Sequence, residues 1–186
     1  MLEPPSGWED IAPEWIRDLP RDRRGFPIPA EGPWQNGVPL LHGTDPSRSL
    51  VLGVHRRCAV CGLAMRPEDA CFRAFAQADA ARIRGYEREF ANDYGGPAHE
   101  SCMLFSAMAC PHLRDNLSNL SRGSTINAGA SRGTLAAVIG FSSYSLLVPL
   151  NRPVFDGLLF GYQLLVEDIR YKLGEDLRDR LVAATE

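Results

Sequence analysis

The spacing of apolar side chains in the first two thirds of the 186-residue chain predicts three helices. Asp45-Pro46 combines an N-cap with a proline in the first helical turn, and predicts a helix that runs to about Arg57. The run 76–92 predicts an amphipathic helix, because its apolar residues recur at spacings of three and four: Ile83, Tyr86 and Phe90. Pro97 predicts the start of a third helix, which would extend to about Ala109.

Beyond residue 134 the pattern first predicts strands and then helices. Residues 134–141 and 144–148 are apolar, β-branched and aromatic runs of strand length, and Ser142-Ser143 between them predicts the turn of a β-hairpin. Residues 161–173 have apolar and polar side chains at helical spacing and predict a long helix. A short helix is predicted over 176–184.

The N-terminal part is rich in proline and tryptophan. Nine of the 14 prolines and all three tryptophans lie within the first 46 residues. Pro13 and Pro20 restrict any helix there to the stretch between them. We expect residues 19–41 to form an extended arm whose aromatic side chains pack on the main body, since proline-rich chain loses little entropy on ordering.

Turn-forming residues divide the chain. Residues 114–134 are rich in Ser, Asn, Gly and Arg and have no periodicity, which predicts a loop or a boundary. The predicted organisation is a first part over 1–115 and a second part over 116–186, the second either completing the same core or folding beside it. Within the first part, the stretch 62–75 has room for two short strands.

Composition limits the class of protein. Hydrophobic residues make up 45% and charged residues 23%, as in globular proteins. The most apolar run, 135–150, contains three serines, a glycine and a proline and is too short to cross a bilayer. The N-terminus has no basic and apolar leader, so we expect a cytoplasmic protein with no membrane partner. The formal net charge of −3 excludes a general basic field for nucleic acid.

Four residues have the spacing of metal ligands. Cys58-Ala59-Val60-Cys61-Gly62 is a CxxCG knuckle, in which two intervening residues let both thiolates face one point. His99 and Cys102 follow within the sequence Pro97-Ala98-His99-Glu100-Ser101-Cys102. On a helix that begins at Pro97 these two would lie on one face. The set Cys58, Cys61, His99 and Cys102 predicts a closed, structural Zn²⁺ site.

A knuckle, a short hairpin and a helix that supplies two ligands form the arrangement called a treble clef. The predicted fold class is therefore α+β: a treble-clef-like zinc module with a Pro/Trp-rich N-terminal arm, followed by a β-hairpin and C-terminal helices. Two alternatives stay open. The cysteines are small buried hydrophobic residues and His99 bonds the start of a helix, or the four ligands hold another metal or a cluster.

The other cysteines have no such spacing rule. Cys110 is eight residues beyond Cys102, about 12 Å along a helix, which is too far for the same tetrahedral shell. A second metal site formed by Cys71, Cys110 and His112 is conceivable, but a buried thiol is the better interpretation of either cysteine. A cysteine nucleophile paired with a histidine is also conceivable, although nothing in the spacing selects a pair.

Four segments together resemble a group of known proteins: 19–29 (Leu-Pro-Arg-Asp-Arg-Arg-Gly-Phe-Pro-Ile-Pro), 58–62, 97–102, and Cys110-Pro111-His112-Leu113. In these segments the chain is similar to uncharacterised proteins common in actinobacteria and their phages, over roughly its first 115 residues. The resemblance implies a zinc-binding, treble-clef-like core of unknown activity, and it brings no catalytic residues with it.

Three kinds of metalloenzyme are excluded by the order of residues. A nuclease of the ββα-metal kind needs a histidine between the knuckle and the ligand helix, and residues 62–98 contain none. A zinc deaminase needs HxE before PCxxC, whereas here the knuckle comes first. An HExxH hydrolase fails because Met103 stands where the second histidine belongs. An enzyme with a structural zinc and an active site elsewhere stays an alternative.

The expected function is therefore binding. We expect a zinc-stabilised module whose partner is another protein. The alternative partner is nucleic acid, contacted by arginines that could reach phosphate oxygens: Arg56, Arg57, Arg82 and Arg84.

Overall fold

A curled, four-stranded antiparallel sheet with helices packed against it forms the centre of the protein, which has mixed α and β structure. This architecture comes from a computed structural model that describes residues 4–41, 43–114, 134–147 and 159–186, apart from the side chain of His112. The expected mixture of helices and strands is confirmed, although several elements differ from the prediction.

The strands of the described residues are β1 (Trp34–Gln35), β2 (Val38–Pro39), β3 (Cys71–Phe75), β4 (Phe90–Asp93), β5 (Ala136–Leu147) and β6 (Leu159–Tyr171). The helices are α1 (Trp8–Ile11), α2 (Glu14–Arg17), α3 (Pro46–Val54), α4 (Gln77–Gly85), α5 (Glu100–Ala109), α6 (Pro111–Arg114) and α7 (Arg178–Ala183). A 3₁₀ turn over Gly174–Leu177 leads into α7.

The order of strands in the main sheet is β3-β5-β6-β4. Cys71 of β3 pairs with Phe141 of β5, and Phe90 of β4 pairs with Gln163 of β6. The two outer strands therefore precede residue 115 in the sequence and the two inner strands follow it. One sheet draws on both of the parts that the sequence separates.

The first half of β5 lies at the heart of the core. Residues 136–141 are all buried, so both faces of the strand are covered there. Helices α4 and α5 both pack against this strand. A strand covered on two faces reads as a continuous apolar run instead of an alternating one, which explains the composition of this stretch.

The expected turn at Ser142-Ser143 is wrong. β5 continues through both serines and pairs with β6. The Ser142 hydroxyl donates to the backbone carbonyl of Gln163 (3.0 Å), and the Ser143 hydroxyl donates to the side-chain oxygen of Gln163 (3.1 Å). Serine is common in turns, but here both hydroxyl groups are bonded across the strand pair. β5 and β6 do form an antiparallel pair, with the intervening residues 148–158 outside the described part.

The expected helix over 161–173 is also wrong, because this stretch forms β6. Gly140 pairs with Glu167 and Phe141 with Leu165, so Val166 is an extra residue in a β-bulge. Three residues of β6 that pack toward the core lie three and four positions apart, a spacing that imitates a helix: Tyr162, Leu165 and Ile169.

Two predictions between the ligand pairs need correction. The helix expected over 76–92 ends at Gly85, and β4 begins at Phe90 and pairs with β6. The stretch 62–75 contains one strand, β3, instead of two, and an isolated bridge joins Arg57 to Ala64. A single sequence shows a helical spacing but not the strand that will compete for the same residues.

The N-terminal arm agrees with the prediction in part. Helix α2 lies between Pro13 and Pro20, as expected, but the short helix α1 lies before Pro13, so the expected restriction of helices to that stretch is wrong. The side chains of Phe26 and Ile28 are buried. Trp34 does not pack on the body as predicted, since 41% of its surface is exposed. Pro-rich composition predicts an extended path but not which aromatic ring faces inward.

Helix α3 begins as predicted. Asp45 is its N-cap and accepts hydrogen bonds from the backbone N–H groups of Ser47 and Arg48, although the helix ends at Val54 instead of Arg57. The expected C-terminal helix is confirmed as the 3₁₀ turn and α7. Most of the loop predicted over 114–134 lies outside the described residues. Among the helices that are described, none has the length and apolar character required to traverse a bilayer.

Candidate metal centre

The first two candidate ligands lie in a tight knuckle. The N–H of Cys58 donates to the carbonyl of Leu63, and the N–H of Gly62 donates to the carbonyl of Cys58, both at 2.8 Å. Gly62 has φ of +75°, a conformation that residues with a Cβ rarely adopt. The glycine of the CxxCG motif therefore allows the chain to turn back directly after Cys61.

The other two candidate ligands lie at the start of α5. The helix begins at Glu100, so the prediction that Pro97 begins it is wrong by three residues. Pro97 and Ala98 are bonded to other segments: the carbonyl of Pro97 accepts from Ala59 (2.8 Å), and Ala98 bridges to Phe72. The first of these bonds ties the His99 segment directly to the knuckle.

His99 is the N-cap residue of α5 and Cys102 is the third residue of the helix. The first backbone N–H groups of a helix have no partner within it, and their dipoles point toward this end. A thiolate is stabilised in such a position. The expected placement of both ligands at a helix start is therefore confirmed, although with a different first residue.

The four predicted ligands meet at one point. The sulfur atoms of Cys58, Cys61 and Cys102 and a ring nitrogen of His99 all lie within 4.8 Å of one another. His99 Nδ1 is 3.5 Å from the Cys61 sulfur and 3.9 Å from the Cys102 sulfur. These side chains lie close enough to bind one metal ion, and they join segments 38 residues apart.

The orientation of the imidazole suits a ligand. Nε2 of His99 lies 3.3 Å from the backbone carbonyl of Ala64. A carbonyl only accepts, so in the neutral ring that binds a metal the proton belongs on Nε2, and the lone pair of Nδ1 faces the sulfurs. Ala64 lies two residues after the knuckle, so the same stretch of chain also orients the imidazole.

Burial differs among the ligands. Cys58 and Cys102 have no exposed surface, whereas Cys61 and His99 are half-buried. The indole Nε1–H of Trp15 donates to the Cys102 sulfur at 3.2 Å, across 87 residues of sequence. Trp15 was not among the predicted site residues, because no spacing in the sequence relates it to Cys102. Helix α2 of the arm thus contributes to the metal centre.

Without a metal, the four groups share protons. Burial by itself would raise the pKa of Cys58, but hydrogen bonds from Cys102, Cys61 and His99 outweigh it and hold this pKa well below its usual value. The contacts with Cys58 and Cys61 raise the pKa of His99 to about 10, and the same two cysteines raise that of Cys102. An ion binding here must therefore displace protons.

A buried polar network holds the loop before His99. Glu31, which is 6% exposed, accepts hydrogen bonds from the Gly96 N–H (2.9 Å) and the Ser49 hydroxyl (3.1 Å). Arg73 donates to the Gly96 carbonyl at 2.9 Å and forms an ion pair with Asp93 at 2.8 Å. The loop is thus fixed from both sides by charged side chains that the sequence analysis did not single out.

The glycine pair in this loop has a packing cause. A Cβ at Gly95 would lie 1.7 Å from a guanidinium nitrogen of Arg73. The arginine side chain therefore fills the space that any larger residue would need. Gly95 allows Arg73 to cross the loop that carries His99.

The remaining cysteines lie outside the cluster. The thiol of Cys71 is buried in β3 and contacts the carbonyl of Phe141 at 3.6 Å, and burial raises its pKa to about 12. It remains a protonated, unreactive thiol at neutral pH. Cys110 is the half-buried C-cap residue of α5. Within the described ranges, Cys58, Cys61, His99 and Cys102 are the single group with metal-ligand spacing.

The arginines proposed to contact phosphate have different surroundings. Arg84 forms two hydrogen bonds with Asp168 (2.6 and 2.8 Å), and Arg82 is paired with Asp79 and Glu87. Arg57, beside the knuckle, donates to the Gly62 carbonyl at 2.9 Å. Arg56 lies over the ring of Tyr144, 5.3 Å from its centre. The first two arginines are therefore neutralised by carboxylates.

The chain matches no known protein family, no curated protein and no solved structure.

Proposed function

We propose that the chain is a zinc-stabilised, cytoplasmic interaction module that binds another protein, with Cys58, Cys61, His99 and Cys102 holding a structural Zn²⁺. The observation that carries this proposal is the convergence of three sulfurs and one imidazole nitrogen within 4.8 Å. Soft thiolates with one imidazole suit zinc and do not suit Mg²⁺ or Ca²⁺, which prefer oxygen ligands. The knuckle and the helix start support a treble-clef-like arrangement of the centre.

The distances fit this ion. Zn–S bonds of about 2.3 Å and a Zn–N bond of about 2.0 Å place tetrahedral ligand atoms roughly 3.5 to 3.8 Å apart. The two measured nitrogen–sulfur distances are 3.5 and 3.9 Å. The widest separation, within 4.8 Å, has to shorten by about 1 Å at most to reach that geometry.

A structural role is favoured over a catalytic one. Catalytic zinc keeps one position for water or substrate, whereas four protein ligands fill the tetrahedron. Two of the sulfurs have no exposed surface, which limits access to the centre from their side. An enzyme whose active site lies elsewhere has less support, because Cys71 is buried and protonated.

Metal analysis of the purified full chain tests the zinc assignment. We expect one zinc per chain, and no more than one reactive thiol before chelation, because Cys71 is buried and protonated. After chelation in denaturant all five thiols are expected to react. Cys58→Ser is expected to lose the metal, and Cys110→Ser, outside the cluster, is expected to keep it. A chain without zinc, or with all five thiols reactive before any treatment, contradicts the assignment.

Nucleic acid is the second candidate partner. The observation that favours it is a pair of arginines, Arg56 and Arg57, that lie beside the knuckle and have no carboxylate partner in the described part of the chain. Binding of an oligonucleotide that weakens steeply with salt, and that is lost in Arg57→Ala, would establish it in place of a protein partner.

A further inference from the structure

The outer face of α3 is both apolar and basic. Its exposed residues recur at spacings of three and four, and they include Arg48, Val51, Val54 and His55. Val51 and Val54 are 56% and 58% exposed, so most of each side chain faces solvent. The outer face of a surface helix is normally charged or polar. Two exposed valines in its C-terminal half are therefore unusual.

Negative charge is missing from this part of the sequence. Residues 46–67 contain four arginines and neither aspartate nor glutamate. The guanidinium group of Arg48 donates to the carbonyl of Ala30 (3.5 Å), and that of Arg57 donates to the carbonyl of Gly62 (2.9 Å). Neither has a carboxylate partner in the described part of the chain, in contrast to arginines elsewhere, such as Arg73 and Arg84.

The face is held rigidly. The inner side of α3 places Gly53 against Phe160 and Leu146, and the hydroxyl of Tyr144 donates to the Gly53 carbonyl at 2.8 Å. Ser49 bonds to the buried Glu31 at 3.1 Å. The exposure of the valines therefore does not come from fraying of the helix. α3 presents them in a fixed position.

Exposed apolar side chains next to arginines are also found beyond both ends of the helix. At one end, the Arg48 guanidinium lies over the ring of Trp34, 5.5 Å from its centre, and Trp34 is 41% exposed. At the other end, Leu63, directly after the knuckle, is 49% exposed and follows the Gly62 carbonyl that Arg57 contacts. We name this set the α3 surface: Trp34, Arg48, Val51, Val54, Arg57 and Leu63.

We propose that the α3 surface binds an acidic protein segment that carries apolar side chains. This inference deepens the proposed function and rests on its protein-binding part. The two guanidinium groups lack carboxylates that such a segment supplies, and exposed Trp, Val and Leu side chains gain free energy when apolar groups cover them. Phosphate would satisfy the arginines only, because valine offers no hydrogen bond to a sugar, a base or a phosphate.

Selection from a library of random peptides displayed on phage tests the chemistry of the partner. The full chain, with its metal content measured, serves as the target, and the selected peptides are synthesised and titrated into ¹⁵N-labelled protein. We expect the selected peptides to combine Asp or Glu with Leu, Phe or Trp. The amide signals that shift are expected to lie in residues 46–63, together with the indole signal of Trp34.

Variants locate the contact. The double variants Val51→Ser/Val54→Ser and Arg48→Glu/Arg57→Glu are each expected to weaken peptide binding about tenfold or more. The matched controls are Val182→Ser, at a valine 45% exposed on α7, and Arg178→Glu, at an exposed arginine of the same helix. Both controls are expected to bind as the unchanged chain does. Amide spectra confirm that each variant is folded.

Several outcomes would overturn the inference. Selection of neutral or basic peptides, selection of none, shifts confined to other surfaces, or equal binding by the valine variant would each do so. If a short oligonucleotide competes with the peptides and binds the valine variant as strongly as the unchanged chain, the surface would be assigned to nucleic acid. A folded chain that lacks zinc but binds these peptides would refute the zinc assignment alone.

Discussion

A side-chain hydrogen bond from helix α2 reaches one of the candidate metal ligands directly. Trp15 donates its indole N–H to the sulfur of Cys102, which is fully buried. Three thiolates around a divalent cation leave one net negative charge, and a buried charge is costly without donors directed at it. Trp15 is such a donor, so it stabilises the thiolate form of Cys102.

Replacing this donor is expected to weaken metal binding. Trp15→Phe keeps a large ring but removes the N–H group, and loss of a contact to a metal ligand typically reduces affinity about 10- to 100-fold. Competition with a chromogenic zinc chelator measures the change. Trp34→Phe is the control, because Trp34 lies apart from the cluster on an exposed strand. Equal zinc affinity of Trp15→Phe and the unchanged chain would show that the bond is without consequence.

Glu31 predicts a dependence of stability on pH. Burial raises the pKa of this carboxyl above 4.5 in spite of Arg73, so the folded chain binds this proton more tightly than the unfolded chain does. The stabilisation from that proton is complete below pH 4.5. It is lost as the pH rises through the higher pKa of the folded state.

The variant Glu31→Gln cannot titrate at this position. The difference in free energy of unfolding between Glu31→Gln and the unchanged chain is therefore expected to shift in favour of the variant as the pH rises from 4.5 toward neutral. Urea titrations at several pH values measure this difference. Both proteins contain the same metal centre, so its contribution to the pH dependence cancels when the two free energies are subtracted. A difference that does not vary with pH would contradict the assigned pKa direction.

At the scale of elements, two helical glycines are expected to respond in opposite ways to alanine. A Cβ at Gly53 in α3 would lie 2.7 Å from the ring of Phe160, whereas a Cβ at Gly85 in α4 meets nothing within 4 Å. Gly53→Ala should destabilise the protein by about 1–3 kcal/mol through overpacking. Gly85→Ala should stabilise it by about 0.5–1 kcal/mol through lower backbone entropy in the unfolded chain. Thermal unfolding of both variants measures the two changes in stability. Equal destabilisation of Gly53→Ala and Gly85→Ala would contradict the packing described for Gly53.

Local signals predicted the elements that local chemistry determines. The N-cap of α3 and the CxxCG knuckle depend on neighbouring residues, and both were predictable from the sequence. β6 does not form the expected helix, because its residues pair with β4 and β5 although three inward residues have a helical spacing. Trp15 and Glu31 were missed because each acts on residues more than 60 positions away. Contacts between residues so far apart produce no periodic pattern in a single sequence, so they could not be predicted from it.

For the whole molecule, the order of strands predicts that the two parts cannot be separated. β3 pairs with β5, and β4 pairs with β6, so a fragment of residues 1–115 lacks the partner of each outer strand. We expect this fragment to give a poorly dispersed amide spectrum even with zinc added, because unpaired buried backbone groups are costly. Signals that match those of the intact chain over residues 58–102 would instead show that the first part folds alone.

The strand order also has a consequence for synthesis on the ribosome. The two central strands emerge last, and the sheet cannot close before residue 171 has left the exit tunnel. All four ligand residues have been made by position 102. A metal bound at that stage would connect the two ends of the segment that contains β3 and β4 before β5 and β6 have been made. This link would reduce the loss of chain entropy when β5 and β6 later pair with the outer strands.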